Sequence, residues 1–151
     1  MREINRVVFV CENGTGRAPM ATEILNNTPR NRQIEAVARG LVVQWPEPMN
    51  QKAEAVLISK GMKTEGYMTS KLTESDFMAG SIVIAMEQAQ KERILSEYNG
   101  ASEENTYVLN QLVGDELEVM NPYGQPIQTY GLCYEVLKAS VEKLIKILEE
   151  S

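Results

Sequence analysis

Four consecutive apolar residues, Val7-Val8-Phe9-Val10, run directly into Cys11-Glu12-Asn13-Gly14-Thr15-Gly16-Arg17, and a stretch of helical character from Pro19 to Leu25 follows. A short, β-branched run bounded by polar residues predicts a buried strand over 6–10. A helix is predicted from about 17 to 27, with Pro19 tolerated in its first turn and Thr28-Pro29 stopping it. A strand feeding a glycine-containing loop at a helix start presents backbone N–H groups and the positive helix end to an anion. Both features favour a thiolate at the base of such a loop. An arginine six residues on can fold back and clamp two anion oxygens with its planar fork. The expected arrangement is a nucleophile beneath a phosphate.

Composition narrows the chemistry further. The 151 residues contain no histidine, which excludes Ser-His-Asp and Cys-His catalysis and histidine-ligated metal sites. Two cysteines, Cys11 and Cys133, are too few for a disulfide framework or a cysteine-rich zinc site, and any cysteine chemistry must work without an imidazole base. A net charge of −6 disfavours general nucleic-acid binding, which needs a basic face, and docking on anionic membranes. No apolar run approaches the roughly 18 residues of a membrane span and no signal peptide opens the chain, so a cytoplasmic location is expected. Length and a 43% apolar content suit one globular domain over 1–151.

Along the rest of the chain, 34–38 reads as a second strand. The segment 42–48 reads as a loop folding Trp45 against the protein. A helix over 49–60 places Ala53, Val56 and Leu57 on one face and ends at Gly61. Thr73 and Asp76 suggest a capped short helical piece ending near Gly80. A strand over 81–86, a helix over 87–98 and a short strand over 106–109 follow. After Asn121-Pro122-Tyr123-Gly124, a long helix beginning near Thr129 carries the stripe Leu132, Cys133, Val136, Leu137, Leu144, Ile145 and Leu148. On that stripe Cys133 reads as a core residue. Strands alternating with helices predict an α/β domain with a mostly parallel sheet, its ligand beyond the carboxyl ends of the strands.

Two familiar phosphate loops fail here. A Walker-type loop needs Lys-Ser or Lys-Thr after its last glycine, where Arg17-Ala18 stands, and the dinucleotide fingerprint needs a third glycine, where Pro19 stands. What remains is Cys-x5-Arg between strand and helix. With Val-Phe-Val before it and Ala-Pro-Met-Ala after it, it resembles the low-molecular-weight protein tyrosine phosphatases. Asn121-Pro122-Tyr123-Gly124 stands where that family carries its Asp-Pro loop, and the element order agrees over nearly the whole chain.

The resemblance implies a three-layer domain with a four-stranded parallel sheet in flavodoxin-like order 2-1-3-4. It also implies metal-independent, two-step phosphoryl transfer that uses no cofactor. Cys11 would attack phosphorus, and the N–H groups of Glu12, Asn13, Gly14, Thr15, Gly16 and Arg17 with the Arg17 guanidinium would hold the equatorial oxygens. Water would then hydrolyse the phosphocysteine. Trp45 and Tyr123 fall where the family's aromatic walls flank the phosphate, although Trp45 reads equally as core. The implied partners are a phosphorylated protein or small phosphomonoester, with phosphate, sulfate or vanadate as ligands.

Four departures bear on activity. Asn121 replaces the family's Asp general acid, and an amide neither gives nor takes the proton that such catalysis moves, so a slow enzyme is expected unless another group substitutes. Ala18 replaces a hydroxyl residue after the arginine. The loop's Gly-Asn is inverted to Asn13-Gly14, with the usual bracing serine replaced at Ala36 or Ala38. The second loop cysteine is Gly16, which removes a protective disulfide and leaves Cys11 open to oxidation. The alternative is a phosphate- or phosphoresidue-binding protein with little turnover. Thr15, shared with related phosphoarginine phosphatases, opens a third reading. Arsenate reduction is set aside because 81–98 holds no cysteine.

Overall fold

A computed structural model describes residues 3–150. The chain forms β1 (Arg6–Cys11), α1 (Arg17–Asn27), β2 (Glu35–Gly40), α2 (Gln51–Ser59), a 3-10 turn (Glu74–Phe77), β3 (Ser81–Ala85), α3 (Gln88–Glu97), β4 (Thr106–Val108), α4 (Leu109–Val113) and α5 (Ile127–Glu149). The sheet runs β2-β1-β3-β4, all parallel, as the resemblance implies. Cys11 aligns with Gly40 and Val10 with both Arg39 and Ala85, so the carboxyl ends of the three strands share one edge.

The apolar run at 7–10 is continuous because both sheet faces are covered. Val7, Phe9 and Cys11 join Ile82, Ile84 and Met86 in the larger core beneath α1, α2, α4 and α5. Val8 and Val10 pack with Val83, Ala85, Leu72 and Ile94 in a smaller core under α3. Strand alternation therefore turns Cys11 toward the α1–α5 side.

The helix boundaries follow their caps. The Asn50 side chain accepts from the N–H groups of Lys52 and Ala53 at 2.9 and 3.2 Å, so α2 starts later than Met49, which is buried instead. The Thr73 N–H donates to Asp76 at 3.0 Å, giving the capped turn expected there. Gln90 Oε1 reaches back to the N–H groups of Met86 and Glu87, both at 3.1 Å, and fixes the start of α3.

Three expectations need correction. The last strand stops at Val108, because Leu109 turns directly into α4, which closes on Gly114 with φ +84°. The buried face of α5 is Tyr130, Cys133, Tyr134, Leu137, Val141, Leu144, Ile145 and Leu148, while Leu132 and Val136 are 61% and 39% exposed. Those two lie a third to nearly half a turn round the helix from the centre of the face that the sheet selects. Trp45 does not fold against the core: it is 67% exposed.

Candidate active site

The loop between β1 and α1 is stitched to its neighbours rather than closed on itself. The N–H of Leu41 donates to the carbonyls of Cys11 and Glu12, at 3.1 and 2.8 Å, and the N–H of Val42 also reaches Glu12, at 2.8 Å. The N–H of Asn50, just before α2, donates to the carbonyl of Thr15 at 2.9 Å. The Tyr67 hydroxyl donates to the carbonyl of Gly14 at 2.6 Å. Carbonyls thus point into the protein and N–H groups point the other way. Among the described residues, the N–H groups of Glu12, Asn13, Gly14, Gly16 and Arg17 have no protein acceptor. That is the arrangement of an anion cradle.

The inverted Asn13-Gly14 pair works as glycine's freedom suggests. Gly14 takes φ +75°, and the Asn13 side chain accepts from the Thr15 N–H at 3.2 Å and the Thr15 hydroxyl at 2.8 Å. Both candidate brace positions, Ala36 and Ala38, are buried on β2 without a hydroxyl to offer. The side-chain support comes instead from the Asn13–Thr15 pair and from Tyr67. Burial raises the Tyr67 phenol above its ordinary value, the negative charge of Cys11 adds to this, and Arg39 opposes it. Gly40 is the other fixed point. A Cβ there would lie 2.6 Å from the carbonyl carbon of Asn13, so the end of β2 and the loop touch backbone to backbone.

Arg17 is 4% exposed and already oriented. Its Nη1 donates to the carbonyl of Val119 at 3.0 Å and its Nη2 to Glu87 Oε2 at 2.6 Å. This leaves Nε–H and one hydrogen on each Nη for an anion. Glu87 and Tyr67 were not singled out by sequence reasoning, since they act from 70 and 53 residues away. The nearest sequence signal for Glu87 was its place at the exit of a strand, where ligands bind in such sheets.

These parts surround a cavity of about 350 Å³ lined by Cys11, Glu12, Asn13, Thr15, Gly16 and Arg17 from the loop. Asn121, Pro122, Tyr123 and Tyr130 form the opposite wall. Asn121 thus stands over the loop. Its Oδ1 accepts from the Tyr123 N–H at 3.2 Å, so the amide NH₂ is the end left for a ligand. Gly14 and Trp45 do not line the cavity, whereas Tyr130, unpredicted, does. Of the acids near Asn121 in sequence, Asp115 pairs with Lys143 at 2.6 Å and Glu118 accepts from the Gln88 N–H at 2.6 Å. Cys133 is fully buried, donates weakly to the Met120 carbonyl at 3.7 Å, and burial pushes its thiol up to about 12. Among the described residues no helix is long and apolar enough to cross a membrane.

Comparison with known proteins places this geometry. The family model for low molecular weight phosphotyrosine protein phosphatase matches residues 6–151. The protein-arginine-phosphatase of Geobacillus stearothermophilus is 27% identical over 95% of this chain and 96% of its own. The low molecular weight protein-tyrosine-phosphatase PtpB of Staphylococcus epidermidis is 30% identical over 92% of this chain and 96% of its own. The crystal structure of the low molecular weight protein tyrosine phosphatase from T. tengcongensis superposes with a TM-score of 0.89 at 30% identity, covering 95% of this chain and 99% of that one. A strand-to-helix Cys-x5-Arg cradle on a 2-1-3-4 sheet, matched over nearly its whole length, makes this chain a member of the low molecular weight phosphotyrosine protein phosphatase family.

Proposed function

We propose that the chain hydrolyses phosphomonoesters through a phosphocysteine at Cys11, with Asn121 unable to give the leaving group a proton. The observation that carries this reading is the set of N–H groups of Glu12, Asn13, Gly14, Gly16 and Arg17 left without a protein acceptor in the loop after Cys11. In the first step Cys11 Sγ attacks phosphorus, the P–O bond to the substrate breaks, and the loop N–H groups and Arg17 take up charge on the equatorial oxygens. In the second step water attacks the phosphocysteine and releases phosphate and thiolate. Asn121, held by the Tyr123 N–H, orients substrate or water through its NH₂. Tyr123, at the cavity wall and 70% exposed, offers a face to a flat phosphorylated side chain of a protein or to a small aryl phosphate.

Turnover of p-nitrophenyl phosphate tests the reading, because that leaving group hardly needs an acid. Absence of turnover, with none restored by Asn121→Asp, overturns it. Tight vanadate binding without turnover would then support the phosphate-binding alternative. Thr15 and the arginine-phosphatase relative favour phosphoarginine as a second substrate class. Comparing kcat/KM on phosphoarginine and phosphotyrosine versions of one peptide separates the two.

A further inference from the structure

The cavity lining includes one acidic residue, and it does not stand where the family's acid would. Among the residues lining the cavity, Glu12 is the sole acid. We propose that Glu12 supplies the proton transfer that Asn121 cannot, a role resting on the phosphatase reading above.

Three observations bear on this. Glu12 follows the nucleophile directly, lines the cavity, and has a backbone N–H with no protein acceptor, so its carboxyl group is tethered at the edge of the anion site. Its hold elsewhere is weak: Glu12 Oε2 lies 3.4 Å from Arg93 Nη1 on α3, and the two side chains are 56% and 38% exposed. Arg93 also pairs with Glu97 at 3.0 Å, so it keeps a partner when Glu12 swings away. A surface pair of this kind costs little to release. Three other acids of this region are committed: Glu87 to Arg17, Glu118 to the Gln88 N–H and Asp115 to Lys143. The remaining proton-bearing groups on the opposite wall are the phenols of Tyr123 and Tyr130, and burial raises Tyr130 further above its ordinary value.

The proton balance closes. As the P–O bond breaks and the S–P bond forms, the departing oxygen takes the proton of the Glu12 carboxylic acid. In the second step the Glu12 carboxylate takes a proton from the attacking water. The P–S bond then breaks, its electron pair returns to Cys11, and the acid is regenerated.

The test is a series of aryl phosphates from p-nitrophenyl to phenyl phosphate, turned over by the wild-type protein and by Glu12→Gln. Glutamine keeps the volume and the backbone N–H. The variant is expected to lose roughly 10²–10⁴-fold in kcat/KM on phenyl phosphate and little on p-nitrophenyl phosphate. Its affinity for inorganic phosphate should be equal to or tighter than wild type. Equal losses across the series, no loss on phenyl phosphate, or weakened phosphate binding would overturn the role. Wild-type protein inert toward p-nitrophenyl phosphate would instead show that the underlying phosphatase reading, and this role with it, is wrong.

Discussion

The Arg17 guanidinium is paired to Glu87 at 2.6 Å, with 4% of the arginine side chain and 31% of the glutamate side chain exposed. The pair orients the fork before any anion arrives, and it also neutralises a charge that an incoming phosphate must then share.

Two opposite effects follow for Glu87→Gln. Without ligand, a buried guanidinium loses its counter-charge, and breaking such a pair costs up to about 3–5 kcal/mol when it is fully buried. The partial exposure of Glu87 makes the loss smaller. With phosphate the ligand replaces the missing charge. The variant should melt below wild type in phosphate-free buffer and recover most of the difference in phosphate, while kcat falls because the fork is less fixed. Thermal melts with and without phosphate check this.

Cys11→Ser should abolish turnover and leave the circular dichroism spectrum and melting cooperativity unchanged. Cys11 is 3% exposed at the end of β1, and serine is close to it in size. Turnover near wild type would remove Cys11 from the mechanism.

Gly40→Ala should damage the site more than the fold. The new methyl would lie 2.6 Å from one Asn13 backbone atom and 2.9 Å from another, neither of which can rotate aside. Displacing that backbone misaligns the N–H cradle, and small misplacements cost about 10²-fold in rate. A loss of kcat/KM of that size, with phosphate binding weakened in parallel, is expected.

Tyr67→Phe removes the hydroxyl that donates to Gly14 and leaves the ring in place. Such a bond is worth about 0.5–1.5 kcal/mol net. The melting temperature should fall modestly and phosphate affinity should drop, because the loop loses one of its outside anchors. Titration by calorimetry measures the second effect.

Alkaline pH should destabilise the protein through Cys133. Its thiol is raised from 9.0 to about 12, chiefly by burial, so the native state keeps a proton that the unfolded chain releases. A folded-state value raised in this way gives stability that is present in full below about 9 and lost as pH climbs toward 12. The denaturant midpoint should therefore fall over that window, and less steeply in Cys133→Ala. An equal slope in the variant would contradict the assignment.

The sequence made the frame legible because local pattern sets it. The Val7–Val10 run, the Thr28-Pro29 stop, the Thr73–Asp76 cap and Gly61 each act within a few residues. The contents of the cavity were readable where the loop itself supplies them, from Cys11 to Arg17. What escaped was decided by partners distant in sequence. The sheet, not the period of the helix, selects which side of α5 is buried, so Tyr130 faces the cavity while Leu132 and Val136 face out. The Glu87–Arg17 pair and the Tyr67 anchor span 70 and 53 residues, beyond any spacing rule. Trp45 reads from the sequence as either core or mouth, and the structure puts it on the surface, outside the cavity lining.

The bonds from Leu41, Val42 and Asn50 to the Cys11–Thr15 carbonyls make the connection between β2 and α2 a second half of the anion loop. A nick or an insertion close to either end of that connection would release the carbonyls that face it. The N–H groups would then be free to turn away from the cavity while the sheet and helices remained intact. Proteolysis there would act as an off-switch for the chemistry that leaves a folded protein behind.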